Sequence, residues 1–144
     1  MTYVSGEAAR AATAPSPHAT PGAFSHYTET IAGEPLSYPS SPNPIVSMNE
    51  LTIPPGRVSD WMVHPVQSFL YVLEGVLTVE FAEDGARHTF KAGQGFLQTR
   101  AHWHRGRNDG DTPARFVAVF IGAKGVPEML HPPRGSSWTS RRCS

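Results

Sequence analysis

The chain has almost no cysteine, no long apolar run and no surplus of either charge, and each absence excludes something. Cys143 is the only cysteine among 144 residues, so no internal disulfide can form and a disulfide-stapled scaffold is ruled out. No stretch approaches the roughly eighteen apolar residues of a membrane-spanning helix. Met1 to Gly22 also lacks a charged segment followed by an apolar one, so a soluble, cytoplasmic protein is expected. Twelve Lys and Arg balance twelve Asp and Glu, whereas a nucleic-acid or anionic-membrane partner requires a basic excess. Gly-x-Ser-x-Gly, P-loop and Cys-x-x-Cys patterns are missing too, which removes the commonest nucleophile, nucleotide and redox signatures.

What is present fits one domain. Residues 1–24 carry Pro15, Pro17 and Pro21 among small residues and are expected to form a flexible arm. Residues 25–123 alternate strand-length apolar runs with turns such as Pro54-Pro55-Gly56, Glu74-Gly75 and Asn108-Asp109-Gly110, the pattern of an all-β barrel or jelly roll. The expected strands are Ser25 to Ile31, Ile45 to Ile53, Val58 to Pro65, Ser68 to Leu73, Val76 to Ala82, Ala86 to Phe90, Gly95 to Thr99, His104 to Arg107 and Ala114 to Ile121. Residues 124–144 form a Pro, Ser and Arg-rich tail, in which Met129, Leu130 and Trp138 are apolar enough to dock on the barrel. In Val58 to Pro65, alternation puts Asp60, Met62 and His64 on one face, opposite Trp61 and Val63.

Two segments resemble the paired signatures of the cupin superfamily, in the form of small single-domain cupins with an RmlC-like jelly roll. The first family pattern is Gly, five residues, His-x-His, three or four residues, Glu, six residues, Gly. Here it reads Gly56, then Met62-Val63-His64, then Ser68, then Gly75. The second is Gly, five residues, Pro-x-Gly, two residues, His, three residues, Asn. Here it reads Gly93, Thr99-Arg100-Ala101, His104 and Asn108. The resemblance spans about Tyr27 to Ala123 and implies an antiparallel double-stranded β-helix. It also implies a metal site of three histidines and a glutamate, of which Met62 and Ser68 replace two ligands and only His64 and His104 remain.

The degenerate metal site directs the functional expectation. His64 and His104 are the candidate catalytic pair, as general base and acid or as donors to an oxyanion, with Asp60 placed to orient His64. Met62, Gln67, Ser68, Tyr71, Phe96, Arg100 and Trp103 are candidate contacts for a small, largely apolar substrate. The leading reading is a cofactor-free isomerase, cyclase, dehydratase or epimerase. One alternative is an oxygenase with a divalent metal (Fe, Ni or Zn) on His64, His104 and a third ligand; another is a cupin that binds a small molecule without turning it over. His18, His26, His88, His102 and His131 receive no role. As in other small cupins, a homodimer is implied, with Tyr27 to Ile31 adding to a neighbour's sheet.

Overall fold

β-Branched and aromatic residues suit a pleated, half-buried surface, and the runs that carry them form seven strands. These are β1 (Pro44–Ile53), β2 (Gln67–Glu74), β3 (Val76–Phe81), β4 (Arg87–Lys91), β5 (Gly95–Gln98), β6 (His104–Arg107) and β7 (Ala114–Ala123). The structure, a computed structural model, describes residues 25–38 and 40–135. The expected arm at 1–24 and the end of the tail, with Trp138 and Cys143, lie outside the described residues. Among the described residues no helix is long and apolar enough to cross a membrane.

The strands pair antiparallel into two sheets, β1-β7-β2-β5 and β4-β3-β6. β7 shows why the sequence closes this way. Ala114, Phe116, Ala118 and Phe120 are buried and alternate with half-buried Arg115, Val117, Val119 and Ile121, so one face enters the core and the other looks outward. Phe116, Ala118 and Phe120 join Leu70 and Val72 from β2 and Leu77 and Val79 from β3 in a single core between the sheets. Between β2 and β3, Gly75 has φ +71°, and a Cβ there would overlap the Pro113 carbonyl oxygen. Only glycine makes that turn without strain.

Two expected strands do not form ladders. Ser25 to Ile31 makes only a bridge from Glu29 to Pro35. The Thr30 hydroxyl accepts the N–H groups of Ala32 and Glu34, so a side chain closes a turn where a strand would have continued. Ile31 donates to Leu97 and the Tyr27 hydroxyl to Gly95, so this segment lies along the chain's own β5. Val58 to Pro65 is held by isolated bridges, Val58 to Arg107, Met62 to His104 and Val63 to Leu130. It switches partner between β6 and the tail, and Pro65 has no N–H to extend either pairing. The tail up to Leu130 therefore packs against the barrel.

Glu80 on β3 fixes β6. Its nearly buried carboxylate accepts from Arg105 at 2.7 Å, Arg107 at 3.0 Å and Arg87 at 3.2 Å, and Arg105 also stacks 4.4 Å over the Trp61 ring. Burial opposes ionisation of Glu80, but the three guanidinium hydrogen bonds outweigh it and hold the carboxyl down to about 2.

Two outcomes follow. Gly75→Ala should lower stability by at least about 1–3 kcal/mol from the left-handed φ alone, with a further loss from the overlap, read as a fall in the denaturant midpoint; an unchanged midpoint would contradict the turn geometry. Glu80→Gln should cost about 3 kcal/mol, the low end for breaking a buried ion pair because the arginines stay partly solvated. The folded carboxyl protonates near pH 2 and the unfolded one near 4.5. Glu80's contribution is thus complete above pH 4.5 and lost as pH falls towards 2. Acid unfolding curves of the two proteins should converge over that window.

Candidate functional site

His104 opens β6, and its backbone exchanges both hydrogen bonds with Met62, at 2.8 and 3.0 Å. Directly paired residues project side chains from the same face, and His64, two positions beyond Met62, shares that face. The imidazoles of His64 and His104 accordingly meet, with ring centroids 4.9 Å apart. Both are buried, at 4% and 1% exposure.

Each ring is tethered through Nδ1. His64 donates from Nδ1 to the Glu128 carbonyl at 2.9 Å, and His104 donates from Nδ1 to the His102 carbonyl at 2.9 Å. A carbonyl oxygen only accepts, so each Nδ1 carries the hydrogen and each neutral ring presents an Nε2 lone pair. His104 Nε2 is buried without a hydrogen-bond partner. Burial is the main cause that pushes His104 down to about 4, offset in part by the His102 carbonyl and reinforced by His64. Burial likewise lowers His64, against the Glu128 carbonyl and with help from His131. Both rings are neutral at pH 7.

The loop before His104 is itself fixed. Glu34 accepts the N–H groups of Arg100 at 3.0 Å and Ala101 at 2.7 Å and the Thr30 hydroxyl at 2.7 Å. Burial raises this carboxyl, yet those hydrogen bonds leave it below its ordinary value. Glu34 thereby shapes the turn that delivers the His102 carbonyl to His104.

The histidines line a cavity of about 270 Å³, near the small end for ligand sites. Its walls are mostly apolar, including Ile53, Leu70, Leu77, Phe116 and Phe120, and Met62, Met129 and Gln98 also line it. The His64 ring lies 5.3 Å from Phe120.

Of the residues expected at the site, the structure brings His64, His104 and Met62 to this cavity. Ser68 is fully buried and shares the inward face of β2 with Leu70, its hydroxyl lacking a partner. Gln67 donates to the Ser68 and Gln98 carbonyls, and with Arg100 it lines a separate cavity of about 90 Å³. Asp60 is exposed and does not line the cavity; the Glu128 carbonyl takes the orienting place expected of it. Tyr71 is 41% exposed in an outer groove beside Tyr27 and Phe69. Phe96 stacks on Phe90 at 3.8 Å in the core, and Trp103 is not a cavity wall. Gln98, Met129 and the Glu128 carbonyl were not foreseen. Inward alternation in Gly95 to Thr99 could have found Gln98, whereas a backbone carbonyl leaves no mark in a sequence.

A divalent metal of the kind implied by the family pattern does not fit these donors. Among the described residues no group of three or more His, Cys, Asp or Glu could hold a metal ion. Iron, nickel and zinc sites generally take three nitrogen, carboxylate or thiolate ligands. Here the cavity offers two imidazoles and the thioethers of Met62 and Met129, and the glutamate position of the pattern holds Ser68, a neutral hydroxyl.

Comparison with known proteins places this geometry. The chain is 33% identical over 79 residues to germin-like protein 5-1 of Oryza sativa subsp. japonica, covering 52% of this chain and 36% of that protein. It therefore spans about a third of the length of that relative. A double-stranded β-helix protein from Klebsiella pneumoniae superposes with a TM-score of 0.52 at 22% identity, over 67% of this chain and 90% of that one. The polyketide cyclase RemF from Streptomyces resistomycificus superposes with a TM-score of 0.51 at 18% identity, over 62% and 63%. At such identities the structural likenesses establish the fold alone. The cupin domain family matches residues 49–120, half of the chain, and with two antiparallel sheets enclosing the paired histidines, the chain belongs to the cupin family.

Proposed function

We propose that the protein is an enzyme that moves a proton on a small, largely apolar, uncharged organic molecule without redox chemistry, giving an isomerisation, cyclisation, dehydration or epimerisation. The observation that carries this reading is the pair of neutral imidazoles, each tethered at Nδ1 and each lining an apolar cavity. Fold membership does not select the reaction; the chemistry is argued from these groups.

In this reading the histidines accept hydrogen bonds in the resting site, which excludes a ground-state role as donors to an oxyanion. His104 is the more strongly depressed base. It stays neutral and receives a hydroxyl of the substrate, while His64 removes a proton from carbon or oxygen. The imidazolium formed on His64 is steadied by the Glu128 carbonyl at its Nδ1. The same His64 Nε2 can return the proton at a second position, and the apolar walls hold the substrate and keep water from quenching the intermediate. The two lone pairs disfavour an anionic group beside the imidazoles, while Arg57 gives the cavity wall a cation.

The test is deuterium exchange into uncharged enolisable ketones and hydroxylated aromatics, followed by NMR in D₂O. His64→Asn keeps a donor near the Nδ1 position for Glu128 but removes the base. Exchange should fall by about a hundredfold to ten-thousandfold, while His104→Asn should act mainly on KM. Exchange that survives His64→Asn would contradict the assignment. Tight binding of such compounds without any exchange would favour a non-catalytic binding protein.

We also propose that the chain forms a homodimer through β1. This strand lies at the edge of its sheet and exposes Val46 at 65% and Met48 at 74%, an apolar edge of the sort that protein surfaces usually cover. Light scattering should give twice the chain mass, reduced to a monomer by Met48→Lys; a monomeric parent protein would refute the proposal.

A further inference from the structure

We propose that Gln98 is the hydrogen-bond donor to the substrate's carbonyl: its side-chain amide holds the oxygen of an uncharged, enolisable hydroxy ketone and stabilises the enolate formed when His64 takes the adjacent proton. This rests on the acid–base reading above and names a substrate class for it. Gln98 ends β5, where it opposes Ser68, and Ser68 in turn opposes Phe120 on β7. The three side chains therefore stand in one row across the sheet. Phe96, two positions earlier on β5, lies in the core between the sheets, so this row faces inward. It ends at Phe120, whose ring is 5.3 Å from that of His64. Gln98, His64 and His104 all line the cavity of about 270 Å³. Gln98 is the last of the five unspecified residues after Gly93, so no fixed position of the family pattern gives it a role.

The Gln98 amide is held one way round. The Thr99 N–H donates to Gln98 Oε1 at 3.0 Å, and only the oxygen of an amide accepts, so Nε2 carries the free donors. Nε2 has no hydrogen-bond partner among the described residues, and it is not sealed in the packing as the unpartnered Ser68 Oγ and His104 Nε2 are. An accessible Nε2 in a residue only 3% exposed meets the cavity that the residue lines. The other donors of the lining are spent or peripheral. The Ser59 hydroxyl accepts from Gly106 and donates to the Asp60 carbonyl, each imidazole spends its Nδ1–H on a carbonyl, and Thr52 and Arg57 are exposed. A ketone oxygen entering this apolar space without Gln98 would give up its hydrogen bonds to water and gain none. His64 takes the proton from the carbon beside the carbonyl. The C–H electron pair becomes the carbon–carbon double bond, the carbonyl π pair moves to oxygen, and the Gln98 N–H holds the enolate oxygen as its charge develops. Return of the proton from the imidazolium to carbon regenerates the ketone, and return to oxygen leaves the enol. Neither route needs an oxidant, a reductant or a co-reactant.

The probe is α-hydroxyacetophenone labelled with carbon-13 at the carbonyl, an uncharged ketone with a ring for the apolar walls and a hydroxyl for His104. Bound to the full-length parent protein, its carbonyl resonance should lie near or downfield of its position in water, as a hydrogen-bonded carbonyl does. Bound to Gln98→Met, an unbranched side chain without a donor, it should move upfield towards its position in hydrocarbon solvent. Deuterium exchange at the hydroxymethyl carbon should fall about a hundredfold to a thousandfold in kcat in that variant, with KM much less affected. A purely structural role would lower stability without moving the resonance or separating kcat from KM. A parent protein that does not bind the ketone, a bound resonance already at the hydrocarbon position, or a variant that changes neither reading would overturn the proposal. The parent spectrum decides even if the variant does not fold. Exchange lost in His64→Asn but kept in Gln98→Met would overturn the donor role and leave the acid–base reading standing. A hydrogen-bonded carbonyl with no exchange in the parent would sink the acid–base reading, and with it the enolate step, and leave Gln98 as a ketone-binding group.

Discussion

The site depends on two hydrogen bonds, from His64 Nδ1 to the Glu128 carbonyl and from His104 Nδ1 to the His102 carbonyl. Each bond fixes ring orientation and tautomer together, since the acceptor can take a hydrogen but not give one. Had either ring carried its hydrogen on Nε2, Nδ1 would set a lone pair against a carbonyl oxygen. Neutrality reinforces the choice: burial depresses both rings, and the two face each other at 4.9 Å, so neither readily carries a charge that the other would oppose.

Much of the surrounding structure holds those carbonyls and rings in place. Glu34 caps the loop that supplies the His102 carbonyl. Glu80 gathers Arg105 and Arg107 and so fixes β6, at whose start His104 sits. On the other side, the tail pairs with Val63 and brings the Glu128 carbonyl to His64, while the Glu128 carboxylate accepts from the Ser47 hydroxyl on β1. Charge and backbone polarity thus set the positions of two neutral groups at an apolar cavity. This is the usual division between a rigid scaffold and a small polar constellation.

The barrel was legible because period-two alternation is strong in β2, β3 and β7, and because glycines such as Gly75 mark turns that no other residue makes easily. The seven ladder strands fall within a residue or two of their expected ranges. The two segments that failed, Ser25 to Ile31 and Val58 to Pro65, have strand-like composition, but the Thr30 hydroxyl and Pro65 divert their backbone hydrogen bonds. His64 and His104 were legible from spacing. Asp60 was placed with them on alternation alone, yet the segment is too irregular for alternation to carry three positions. The contribution of Met129 and Glu128 depends on the tail folding back on Val63, a long-range pairing that local pattern does not encode. The Glu80 cluster was missed for a similar reason: its arginines come from β4 and β6, and a lone Glu in a strand reads as solvent-facing.

The most direct test is the tautomer of the two rings. Nitrogen-15 NMR of the histidine side chains at neutral pH, with His64→Asn and His104→Asn used for assignment, distinguishes a protonated Nδ1 from a protonated Nε2. Both rings are predicted to be neutral with hydrogen on Nδ1. Hydrogen on Nε2 of either ring, or a charged imidazolium at neutral pH, would contradict the account of the site.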